Sequence, residues 1–265
     1  MISDLHIHTS FSSDSKTNPE DIINKAISFN IPYICFTDHN EFDYDDNLFI
    51  LDTASYFNTL LNLKEKYKEK INVLIGVEQG LETTKSAKIN NFLKSFPFDF
   101  IIGSSHMVNG IDPYYPVFFE GRSTYEAICE YFSSVLDNLD TFNNFDVYGH
   151  IDYVIRYPLV PDIDYSFEKY KEYLVPILTK IIQSGKGIEL NTGGFRSKIK
   201  ESNPSFEIIK KYRELGGEII TVGSDAHNLC DVASGFSKAK EYLTLAGFDY
   251  YNVFINRKPI KVKLD

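Results

Sequence analysis

Short β-type runs alternate with longer amphipathic segments along this chain, and the alternation repeats seven times. The β-type runs cover residues 2–7, 33–37, 72–77, 99–104, 145–149, 187–191 and 218–223. Apolar residues recur at helical spacing over 19–29, 53–69, 86–95, 123–138, 166–184, 204–215 and 232–246. Local signals mark several of the boundaries. Asn18–Pro19–Glu20 places a capping residue before a proline at the first helical position. Ser123 and Glu126 form an S-x-x-E capping box, and Asn203–Pro204 predicts another helix start. Gly185, Gly216–Gly217 and Gly247 fall where helices should stop.

Seven strand-then-helix units predict a parallel sheet with helical crossovers, either closed into a (β/α) barrel or left open as a doubly wound sheet. No linker or low-complexity tract divides them, so residues 1–265 are expected to form a single domain. The strand ends favour the barrel. The runs finish in His6–Ile7–His8, Asp38–His39–Asn40, Glu78, His106, His150–Ile151–Asp152, Glu189–Leu190–Asn191 and Asp225–Ala226–His227. In a barrel these ends converge on one face, where the active site lies.

The chain has six histidines, His6, His8, His39, His106, His150 and His227, and all six sit at or just past a predicted strand end. A single histidine so placed is more often a hydrogen-bonded structural residue than a ligand; all six together point to one cluster of metal ions. His6 and His8, two apart on a strand, project from the same face and can grip one ion. Imidazole suits Zn²⁺ and Fe²⁺, and carboxylates can bridge two ions.

Charge and cysteine content narrow the reading further. A formal net charge of −10 argues against a general nucleic-acid binder, which needs a Lys/Arg surface against phosphates. Locally held metal ions could still attract a small phosphate ester. Three widely spaced cysteines, Cys35, Cys129 and Cys230, argue against a disulfide framework. With no apolar window of membrane-spanning length and no basic leader at Met1, a cytoplasmic protein free of membrane association is expected.

His6–Ile7–His8–Thr9 followed by Ser12–Ser13–Asp14, and Gly103–Ser104–Ser105–His106 through Asp112, resemble the polymerase-and-histidinol-phosphatase (PHP) family, in its histidinol-phosphatase branch. The resemblance covers nearly the whole chain and implies a distorted (β/α)7 barrel with three divalent metal ions (Zn²⁺, Fe²⁺ or Mn²⁺). It assigns one ion to His6, His8, Glu78 and Asp225, and a second to Glu78, His106 and His150. The third falls to Asp14, His39 and His227; some family members carry His where this chain has Asp14. Three such ions, less three carboxylates and a bridging hydroxide, leave about +2, a match for a phosphomonoester dianion. The implied activity is hydrolysis of L-histidinol phosphate to L-histidinol and phosphate in histidine biosynthesis, by that hydroxide. Asp14, Glu78 and Asp225 are the carboxylates expected to serve catalysis. Arg156 and Arg196, in loops after strands of the active face, are expected to bind the phosphate. Rival readings are another small phosphate ester, a nucleotide or phosphotyrosine as substrate, or a non-catalytic metal-binding barrel; the last is disfavoured because no ligand is missing.

Other features carry two readings. The acidic loop 40–52, with Glu41, Asp43, Asp45, Asp46 and Asp52, is a solvated surface or offers one carboxylate to a cationic substrate. The aromatics of loop 107–122, including Tyr114, Tyr115, Phe118 and Phe119, wall the pocket or pack on the barrel. Glu189 and Asn191 are expected to support the site rather than ligate, and Asp38 and Asp152 to orient neighbouring histidines. Cys230 is expected to be a buried thiol.

Overall fold

Seven parallel strands, each followed by helical structure, wrap into a nearly closed barrel in this computed structural model, which describes residues 1–44, 47–157 and 165–264. The strands are β1 (Asp4–Ile7), β2 (Tyr33–Phe36), β4 (Asn72–Gly80), β5 (Phe100–Ser104), β6 (Val147–Tyr148), β7 (Gly187–Asn191) and β8 (Ile220–Gly223), hydrogen-bonded in that order. A two-residue strand β3 (His39–Asn40) continues the path of β2 after a break and pairs with Glu78 and Gln79 of β4. The first and last strands meet through a parallel bridge between Ile7 and Ala226. His8 N–H donates to the Ala226 carbonyl at 3.0 Å, and Asp225 N–H to that of His6 at 2.8 Å. The barrel therefore closes at the level of the predicted ligands.

The helices are α1 (Pro19–Ser28), α2 (Thr53–Tyr67), α3 (Ser86–Ser95), α4 (Thr124–Thr141), α5 (Phe167–Gln183), α6 (Phe206–Glu214) and α7 (Phe236–Leu245). Their starts follow the expected chemistry. Asn18 accepts a bond from Glu20 N–H with Pro19 in the first turn, and the Ser123/Glu126 box is complete in both directions. α1 turns Ile22, Ile23 and Ala26 into the core, and α5 turns Leu174, Ile177, Leu178 and Ile181. Each such side chain contributes about 1.5–3 kcal/mol when fully buried. Among the described residues no helix is long and apolar enough to cross a membrane.

The structure departs from the sequence reading in several places. The helix expected at Asn203–Pro204 begins at Phe206; that peptide bond is cis, and Asn203 instead pairs its backbone with Asn191. The chain also ends in an antiparallel hairpin, β9 (Tyr250–Ile255) and β10 (Lys258–Lys263), which the periodicity did not reveal. Asn256 and Arg257 at its turn both have positive φ, the geometry a two-residue turn needs to match strand twist. The hairpin closes the N-terminal ends of the strands: the Tyr251 hydroxyl accepts from Ser3 N–H, Asn252 Oδ1 from Ile220 N–H, and Arg257 Nε donates to Asp146 at 2.6 Å.

Candidate metal centre

All nine predicted ligands meet at the C-terminal mouth of the barrel. Glu78, near the end of β4, lies at the middle and is fully buried. Its Oε2 is 3.2 Å from His6 Nε2, 3.4 Å from His8 Nε2 and 3.0 Å from His39 Nδ1. Its Oε1 is 2.8 Å from His150 Nε2 and 3.3 Å from His106 Nε2. Asp225 Oδ1 lies 3.7 Å from His6 Nε2 and 3.5 Å from His8 Nε2. Asp14, the most open of the set, faces His227 Nε2 at 3.1 Å and His39 Nε2 at 3.5 Å.

These atoms fall into sets of ion-binding size: His6, His8 and Asp225; Glu78, His106 and His150; and His8, His39 and His227. A fourth set, His39, Glu41 and His106, overlaps them. His8, His39 and His106 are thus each shared between neighbouring sets, a finer point than the sequence reading drew.

The hydrogen-bond network decides which nitrogens can ligate. His6 Nδ1 is 2.6 Å from Glu189 Oε1 and His106 Nδ1 is 2.5 Å from Glu41 Oε1; ionised carboxylates only accept, so both Nδ1 atoms carry the proton. Ser12 Oγ gives its hydrogen to Asp38 and so accepts from His8 Nδ1 at 3.1 Å. His227 Nδ1 likewise donates to the Asp225 carbonyl at 3.2 Å. In all four rings the lone pair therefore sits on Nε2, facing inward. His6 Nε2 and His8 Nε2 are only 3.0 Å apart, and two lone pairs at that distance repel. Glu78 Oε2 is buried with no hydrogen bond of its own despite its close imidazoles. A cation reconciles all of these contacts, so the residues fit divalent metal ions, and divalent metal binding is a property of this site.

Electrostatics agree with that. Burial would raise the Glu78 carboxyl, but the imidazoles of His6, His39 and His106 hold it well below its usual range. Burial acts the same way on Asp225, and His6, His8 and Arg156 outweigh it. Both remain ionised. Burial lowers His106, yet Glu41 and Glu78 draw it well above its ordinary value, so protons and metal ions compete for the same nitrogen.

Close backbone approach makes room for the supporting carboxylates. A Cβ at Gly223 would collide with His6 and Glu189, and one at Gly80 would overlap the Glu41 carboxylate. Asp225 itself adopts φ 53°, a left-handed conformation costing roughly 1 kcal/mol or more in a non-glycine residue. The Ile7–Ala226 seam holds it there.

Arg156 lies over the site, its Nε on Asn203, Nη1 on Asp225 at 3.1 Å and Nη2 on Asn191. Arg196 Nη2 donates to the carbonyls of Ser224 and Asp225, while its Nη1 is buried with no hydrogen-bond partner among the described residues. Both arginines line the same cavity of about 490 Å³ as the predicted ligands Asp14, His39, Glu78, His106, His150, Asp225 and His227.

Several expectations shift. Asp38 reaches His8 and the His39 backbone only through Ser12. Among the described residues Asp152 makes no side-chain hydrogen bond to a histidine; it holds Asn203, which holds Arg156. Cys230 is exposed, because the 3-10 turn that carries it lies on the surface. In the acidic loop Asp43 pairs with Lys88 and Asp52 caps α2, Glu41 serves His106, and Asp45 and Asp46 lie outside the described residues. The loop 107–122 divides: Tyr114 and Tyr115 line the cavity, whereas Phe118 and Phe119 are buried in the core. Asp112 is a cavity residue to which the reading gave no role, and Glu41, named there only among the loop acids, faces His106; only its position two residues past His39 could have hinted at that.

Cation ligands concentrated above a cavity of small-molecule size, at the strand ends of a barrel, place this chain among metal-dependent barrel hydrolases. It belongs to the PHP domain family, whose model matches residues 4–193. It is 33% identical over 261 residues to a histidinol-phosphatase of Lactococcus lactis, covering 98% of this chain and 97% of that protein. A probable histidinol-phosphatase of Clostridium acetobutylicum is 32% identical, with 90% and 91% covered. The crystal structure of the Lactococcus lactis histidinol phosphate phosphatase complexed with zinc, L-histidinol and phosphate superimposes with a TM-score of 0.93 at 32% identity, covering 98% of this chain and 99% of that one.

Proposed function

We infer that this chain hydrolyses L-histidinol phosphate to L-histidinol and phosphate, as a single domain over residues 1–265 in the cytoplasm. The observation that carries the reading is an imidazole–carboxylate cluster and two arginines on one cavity of about 490 Å³. The full-length likeness to a phosphatase crystallised with L-histidinol and phosphate supports the substrate.

Three divalent ions are proposed: one held by His6, His8, Glu78 and Asp225, one by Glu78, His106 and His150, and one by Asp14, His39 and His227. Zinc is the favoured identity, given the nitrogen-rich donor set and the zinc in the Lactococcus lactis structure. Bound there, such ions supply Lewis acidity and ionise water near neutral pH. The chain's own residues do the rest. Arg196 offers its unpartnered Nη1, and Arg156 the N–H groups not used on Asp225, Asn191 and Asn203, to the phosphoryl oxygens as charge develops. Glu189 and Glu41 keep His6 and His106 in the ligating tautomer. All three cysteines are free, which suits a reducing compartment.

The test is phosphate release from a panel of small phosphomonoesters that includes L-histidinol phosphate, with elemental analysis of the same preparation. L-histidinol phosphate should lead the panel. A hundredfold preference for another ester would overturn the substrate.

A further inference from the structure

Asp4, at the start of β1, is fully buried and directs its two oxygens at two backbone amides. Its Oδ1 accepts from Ser224 N–H at 2.8 Å and its Oδ2 from Ala233 N–H at 2.9 Å. Those amides stand at the two ends of the segment 224–233, so one side chain closes that segment into a loop. Both ends need holding. Asp225, next to Ser224, has φ 53°, and Ala233 has φ 58°. Non-glycine residues keep such left-handed conformations only where their surroundings fix them.

The loop carries both Asp225 and His227, and Arg196 meets three groups on it. Arg196 Nη2 donates to the carbonyls of Ser224 and Asp225 at 2.8 and 3.0 Å, and its Nε lies 3.5 Å from Asp231 Oδ1. His227 has support from elsewhere, since its carbonyl accepts from the Ser15 and Thr17 hydroxyls at 2.8 and 3.0 Å. Asp225 N–H instead donates to the His6 carbonyl, on the same strand that Asp4 begins. Asp4 therefore bears chiefly on Asp225 and on the groups that seat Arg196. A carboxylate suits the task because both of its oxygens accept; an amide of the same shape offers one acceptor and two donors.

We propose that Asp4 is a positioning residue for phosphate binding: by closing the loop 224–233 at both ends, it fixes the seat of Arg196 and the backbone of Asp225. This rests on Arg196 as a phosphate contact and Asp225 as a metal ligand, as inferred above. Asp4 acts through those two residues rather than on the substrate.

The test is a double-variant cycle on zinc-saturated protein, with the Kd for inorganic phosphate read by calorimetry. Inorganic phosphate makes the result independent of which ester is the substrate. In Asp4→Asn the amide N–H2 would face one of the two backbone N–H groups and release that end of the loop. Asp4→Asn and Arg196→Lys should each weaken phosphate binding about 10- to 100-fold. The double variant should bind within about threefold of Asp4→Asn alone, because the two changes act through one contact. Losses that multiply overturn the proposal. So does a phosphate Kd within twofold of wild type in Asp4→Asn when its urea midpoint has fallen, since Asp4 would then only support the fold. An Arg196→Lys variant that binds phosphate as wild type does removes the phosphate role of Arg196, and the proposal with it. Should Asp4→Asn not fold, wild type carries the test, because coupling between two sites is reciprocal. Saturating phosphate should raise the hydrogen-exchange protection of the Ser224 and Ala233 amides about tenfold more than that of Ile101 N–H, which Asp146 holds at the other end of the barrel. Equal changes at the two ends overturn the proposal.

Discussion

Glu189 Oε1 lies 2.6 Å from His6 Nδ1, joining two residues 183 positions apart and setting the tautomer of an imidazole whose other nitrogen faces Glu78. The same carboxylate accepts from His150 N–H at 3.1 Å through Oε2. One side chain on β7 thus positions the His6 imidazole on β1 and the backbone at His150 after β6.

Replacing Glu189 with Gln keeps its shape and removes its charge. Metal affinity, measured by chelator competition, should fall by about 10- to 100-fold. Activity should return in part at high metal concentration. Unchanged affinity would mean that Glu189 only fills space.

Gly80 tests the second such pair without replacing either partner. In Gly80→Ala the new methyl group would displace the Glu41 carboxylate from His106. Gly80→Ala and Glu41→Gln should therefore show similar losses of metal affinity, and the double variant should lose little more than either alone. Additive losses would show that the two changes act through different contacts.

Metal removal should abolish activity and lower thermal stability together. With ligand at 100 to 1,000 times Kd, bound ions add about 3–4 kcal/mol to the folded state. His106→Ala and Asp225→Ala should lose most of kcat while retaining the fold by circular dichroism. Activity within tenfold of wild type in either would sink the ligand assignment.

Arg257 links stability to pH at the opposite end of the barrel. Burial raises the Asp146 carboxyl above its ordinary value, and Arg257, with its Nε at 2.6 Å, pulls it back. A raised folded value means that the ionised form at neutral pH is the destabilised one. Arg257→Gln raises it further, so the variant should lose about 2 kcal/mol at pH 7.5. That deficit should shrink as pH falls through the folded value and Asp146 protonates. Urea unfolding of both proteins at each pH reads the difference, and a deficit that grows on acidification would contradict the scheme.

Periodicity and capping chemistry were enough to place every barrel strand and helix, because those signals are local: Asn18 with Pro19, or Ser123 with Glu126, act within one turn. The clustering of the histidines was legible for a related reason. Residue type at the end of a β-type run needs only the barrel's geometry to become a shared site. The C-terminal hairpin was not legible, since its exposed second strand lacks a buried face and its role is to cap strand ends far away in sequence. Tertiary structure alone decided that Glu41 serves His106, that Asp152 steadies Arg156 through Asn203, and that Asp112 faces the cavity. Each depends on contacts across 40 to 70 residues, set by sheet register and barrel closure. A carboxylate's neighbours in space, rather than its neighbours in the chain, determine whether it caps a helix or orients an imidazole.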